Sequence, residues 1–80
     1  MDGLAKRLRI RADEAECAAD AESIVVEGLK PFRAKFEKGD RSDFTMRRLR
    51  VLLDAEKAER GFKVDIEDFR TAACAVEAAQ

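Results

Sequence analysis

The chain has no histidine, no tyrosine and no tryptophan among its 80 residues, a single proline, two cysteines and four scattered glycines. Without histidine it lacks the commonest general base and the commonest metal ligand. Neither Cys17, amid Glu14, Glu16 and Asp20, nor Cys74, near Glu77, sits among the basic groups that activate a thiol nucleophile. Glycines at 3, 28, 39 and 61 are too far apart for a dinucleotide fingerprint or a phosphate loop. The expectation is a protein that is not an enzyme and uses no cofactor. Asp13, Glu16 and Asp20 recur at one helical turn but have no second carboxylate helix or calcium-loop pattern beside them, so they read as a solvated face and not as a metal site.

Long apolar runs are also missing. Nothing approaches the roughly 20 residues that span a bilayer, and the stretch from Met1 to Cys17 lacks the apolar centre of a signal peptide. No membrane partner and a cytoplasmic location are expected, with both cysteines as reduced thiols.

What is present is charge, alanine and helical spacing. Charged residues make up 41% of the chain yet the net charge is only −1, and apolar residues reach 46%, a balance that argues against disorder. Fourteen residues are alanine, which lets helices approach closely but buries little area per residue. One domain, residues 1–80, is all that this length supports.

From Leu4 to Val26 the main apolar face collects Leu4, Leu8, Ala12, Ala15, Ala19 and Val26. A second line, Ile10, Cys17, Ala21 and Ile24, is set apart from it and is a candidate for self-association, with a homodimer as its consequence. Gly28 is a plausible C-terminal cap and Pro31 suits the first turn of a new helix; the alternative is one kinked helix, since Val25, Leu29, Phe32 and Phe36 keep helical spacing across the proline. Ser42 or Asp43 can cap the next helix, whose strongest apolar face is Met46, Leu49 and Leu53, with Phe44, Val51, Ala55 and Ala58 on a second stripe. Gly61 then reads as a stop and Asp65 as a cap, before a last helix with Ile66, Phe69, Ala72, Ala73, Val76 and Ala79 on one face. The fold class expected is all-α, a compact three- or four-helix bundle with helices near 3–27, 31–38, 43–60 and 65–79.

Charge is distributed unevenly along the chain. Residues 30–50 hold eight basic and three acidic side chains, whereas the flanking segments hold eight basic and fourteen acidic. A helix-turn-helix built on Gly61 does not explain this, because Lys57 and Glu67 occupy positions that motif keeps small or apolar, and the reading helix would be acidic. The basic segment itself supplies the candidate partner-binding residues: Arg47, Arg48 and Arg50, with Arg41, Arg33 and Lys35. The partner expected is a larger protein or nucleoprotein complex with an acidic surface, which the chain would regulate or inhibit by occupying it. Nucleic acid stays open as an alternative target, as does self-assembly. In size and want of catalytic chemistry the chain resembles the compact inhibitors that phages and mobile elements make against host defence, anti-CRISPR proteins included, a group with no shared signature.

Overall fold

The computed structural model describes residues 2–79. It contains two helices, α1 (Asp2–Glu37) and α2 (Asp43–Ala79), folded back on each other as an antiparallel hairpin. The expected three- or four-helix bundle is therefore incorrect. Thirty-six residues of helix rise about 54 Å, which accounts for a rod of 58 × 14 × 14 Å.

Three residues read as helix boundaries do not act as such. Gly28, Gly61 and Asp65 all lie within helices, and α1 runs through Pro31. An interior glycine costs about 1 kcal/mol and an interior proline about 3. Continuous packing along both sides of each break outweighs those local costs. Gly39, by contrast, does stop a helix. Its φ of 101° is the left-handed conformation that favours glycine, and no other described residue has a positive φ. The Gly39 N–H donates to the Phe36 carbonyl and the Asp40 N–H to the Lys35 carbonyl, both at 3.0 Å, which satisfies the last carbonyls of α1 in a Schellman arrangement.

The seam between the helices follows a heptad on α1: Ala5, Leu8, Ala12, Ala15, Ala19, Glu22, Val26, Leu29, Arg33 and Phe36 step by three and four residues, and each is at least half-buried. On α2 the inward residues are Thr45, Leu49, Leu52, Ala55, Glu59, Phe62, Ile66, Phe69, Ala73 and Val76. Small faces large along most of this seam. The register set by the interhelical ion pairs brings Ala12 level with Phe69, Ala15 with Ile66 and Ala19 with Phe62, while Leu8 meets Ala73. Leu52 is fully buried and so is Ala73. Met46 and Leu53, expected in the core beside Leu49, lie instead on the outer side of α2, because two helices bury only the strip each turns toward the other.

The two kinds of helix breaker should respond oppositely to alanine. Pro31→Ala restores a backbone donor inside α1 and should raise stability by about 3 kcal/mol. Gly39→Ala forces a Cβ into the left-handed region and should lower it by about 1–2 kcal/mol. Denaturant melts followed by circular dichroism read both; an unchanged Pro31→Ala variant would mean that α1 breaks there.

Candidate functional site

The reversal at residues 38–42 turns a charge pattern in sequence into one in space. Residues 30–50 become the closed tip of the rod, so the eight basic and three acidic side chains of that segment gather at one end. The remaining stem holds eight basic and fourteen acidic.

A hydrogen-bonded cap fixes the tip. The Ser42 hydroxyl accepts from the Thr45 N–H at 3.3 Å, the N-cap geometry that satisfies an orphan donor at the start of α2. Asp40 ties the cap to the loop: one carboxylate oxygen accepts the Ser42 N–H at 2.9 Å and the other the Thr45 hydroxyl at 2.8 Å. These two bonds, the backbone one foremost, hold the Asp40 carboxyl below the usual carboxylate range. Thr45 is thereby buried without an unsatisfied group.

The phenylalanines belong to the same construction. Phe32 and Phe44 meet edge to face across the hairpin, with ring centroids 5.5 Å apart. Their own cations cover the rings: Lys35 lies 5.1 Å from the centre of Phe32, Arg48 4.6 Å from Phe44, and Arg41 3.7 Å from Phe36. Arg41 also donates to the Phe36 carbonyl. Arg33 reaches across to Glu56 through both terminal nitrogens, a fork that raises its own pKa and lowers that of Glu56.

The candidate arginines are thus sorted. Arg33 holds the two helices together, while Arg41, Arg48 and Lys35 pack on aromatic rings. Arg47 and Arg50 have no ion pair, hydrogen bond or ring contact among the described residues, and both are exposed. They share the outer side of α2 with Met46, 41% exposed, and Leu53, 52% exposed. Positions 46, 50 and 53 follow the helical spacing of four and three, with 47 one turn before 50, so the four side chains form one basic and apolar ridge. Sequence reasoning missed Met46 and Leu53 because it placed them in the core; the signal was the surplus of apolar positions on this stretch over what one neighbour can cover.

Ile10, Cys17, Ala21 and Ile24 are all exposed on α1, Ile24 by 74%. Both cysteines are free and exposed. Glu16, from the carboxylate trio, is bound to Arg70 at 2.7 Å. Among the described residues the surface has no pocket, and no helix is long and apolar enough to cross a membrane. No protein-family model, curated protein or solved structure matches the chain.

The cap and the Arg33–Glu56 fork make the hairpin sensitive to acid. Asp40 and Glu56 have folded pKa values below their ordinary ones, so the stability they confer is complete above the carboxylate range and is lost as pH falls through it. The melting temperature should therefore fall below about pH 4, and Asp40→Ala should remove part of that dependence. Ser42→Ala should lower stability by about 1 kcal/mol at neutral pH. Thermal melts across a pH series check all three.

Proposed function

We propose that the protein is a non-catalytic interaction module that docks on an acidic surface of a larger protein through the ridge Met46, Arg47, Arg50 and Leu53, and regulates that protein by occupying it. The observation that supports this most directly is the pairing of two unpartnered arginines with two exposed large apolar side chains on one side of α2. Such a mixture suits a protein interface, where arginine and methionine are enriched and an apolar centre excludes water from the charged contacts.

Nucleic acid fits the same ridge less well. The three tip phenylalanines each already carry a cation, and two of them a ring contact, so a base stacking there would compete with these contacts. The acidic stem would also repel a phosphate backbone running along the rod. Inhibition by occupancy, the mode of the compact phage and mobile-element inhibitors, is compatible with a rod that carries its contact residues at one end.

The Arg50→Glu, Leu53→Ser double variant changes only exposed positions and should keep the helical spectrum. A partner captured from host lysate by the wild type and identified by mass spectrometry should bind the variant at least tenfold more weakly, about 1.4 kcal/mol or more. Titration of the wild type with DNA and RNA at low and moderate salt should show no binding. Tight binding with a steep salt dependence would transfer the tip to nucleic acid.

A further inference from the structure

The two flanks of the hairpin differ in kind. On one flank α1 and α2 face each other through charged side chains: Arg9 binds Glu77, Glu16 binds Arg70, and two heptads further along Lys30 lies near enough to Glu56 to lower its pKa. On the other flank the register fixed by Phe32 against Phe44 places Val25 opposite Val51 and Ala18 opposite Ala58. From the tip to mid-rod the facing pairs of this flank are apolar, with Lys35 over Phe32 and Arg48 over Phe44 at the tip and Arg47 and Asp54 along the α2 border. Arg11 and Asp65, one heptad further on, end it.

We propose that this Val25/Val51 flank binds a second copy of the chain, the two rods lying antiparallel so that the basic tip of each rests beside the stem of the other. Three observations carry this. The hairpin exposes 5883 Å², whereas a compact protein of 9.0 kDa exposes about 4,900 Å². The excess of about 1,000 Å² is close to the roughly 800 Å² that each partner buries in a standard stable interface. Val25 is 38% exposed, Val51 48% and Phe44 54%, so large apolar side chains contribute to that excess on this flank.

Second, the border of the flank is built for close approach. Gly28 and Gly61 each lie inside a long helix with nothing within 4 Å of where a Cβ would stand, so no contact within the hairpin requires a glycine. Both fall next to the Val25/Val51 line, as does Ala21. Small residues at these positions let another helix pair come near.

Third, charge selects the orientation. With the two-fold axis at Val25 and Val51, each tip, eight basic and three acidic, lies beside residues 9–20 and 52–61 of its neighbour, which hold four basic and seven acidic. Parallel rods would instead set tip against tip, like charge on like. The antiparallel pair leaves Met46, Arg50 and Leu53 uncovered and sets Arg47, one turn from Phe44 and Val51, at its border, so the dimer does not rest on what the ridge binds. Of the line Ile10, Cys17, Ala21 and Ile24, only Ala21 borders the interface; the others ride the outer ridge of α1.

Sedimentation equilibrium at concentrations of about 100 µM should give twice the chain mass of 9.0 kDa. Val25→Lys with Val51→Lys should return the single-chain mass and keep the helical spectrum. In a Cys17→Ser, Cys74→Ser background, Val25→Cys should form a disulfide-linked dimer with itself on mild oxidation, because the antiparallel axis passes beside that residue; this readout decides the matter even if the lysine variant unfolds. A single-chain mass for the wild type would overturn the proposal and leave the flank to a helix of another protein. So would a doubled mass that survives both lysines, and cross-linking only between Val25→Cys and Val51→Cys chains would overturn the antiparallel order.

Discussion

Two helices can cover each other along only one strip apiece, and everything else about this molecule follows from how narrow that strip is. About two residues in every seven turn inward, so a chain that is 46% apolar must leave much of its apolar surface outside. The alanines soften that constraint in one respect. By setting Ala12, Ala15 and Ala19 level with Phe69, Ile66 and Phe62, the hairpin draws its axes together and lets one large side chain fill each layer. It does not widen the strip. Within one chain Leu53, Val51 and Ile24 are left uncovered, because the described residues form no third element to meet them.

The same geometry explains why the tip is a separate chemical region. A hairpin has one closed end, and here the chain reverses where its basic segment lies. The Schellman turn at Gly39 and the Ser42 cap meet through Asp40, so one carboxylate serves the end of the loop and the start of α2 together. Around that fixed corner the phenylalanines and three of the cations are engaged internally. Arg47 and Arg50 are left available because they point away from the corner, beside the apolar residues that the strip could not cover.

Much of this was legible in the residues, and the errors have a common physical cause. The inward line of α1 is readable from Leu8 to Val26, and Ser42, like Asp43 beside it, is of a type that caps a helix. The run across Pro31 was visible in the spacing of Val25, Leu29, Phe32 and Phe36, yet the proline invited a break. Gly28, Gly61 and Asp65 were misread for the same reason. A local stop signal is worth only about 1–3 kcal/mol, and a helix packed on both sides of it overrides that cost. Gly39 differs because the apolar heptad stops there as well and a capping serine follows. The position of Met46 and Leu53 was not legible, since spacing alone cannot tell which of two apolar stripes will face the only neighbour.

Register raises a final question, because an alanine-rich seam is permissive. Sliding α2 by one heptad would still set small residues against large ones over much of the rod, so packing alone discriminates weakly between registers. The charged flank adds to the discrimination. In the observed register Arg9 meets Glu77 and Glu16 meets Arg70. One heptad in one direction would bring Arg9 against Arg70 while setting Glu16 beside Lys63, and one in the other would bring Glu16 against Glu77, so either slip replaces one of the two attractions with a repulsion. Exposed ion pairs stabilise a fold only slightly, but their reversal adds to the penalty of every alternative. The Glu22 and Glu59 layer fits the same logic. Two half-buried glutamates level with each other in the seam weaken the hairpin, yet they are tolerated at mid-rod, where Lys63 pairs with Glu59 at 3.4 Å. The charged flank thus holds one arrangement of the two helices, and that arrangement is what aligns Val25 with Val51 and makes the opposite flank continuous.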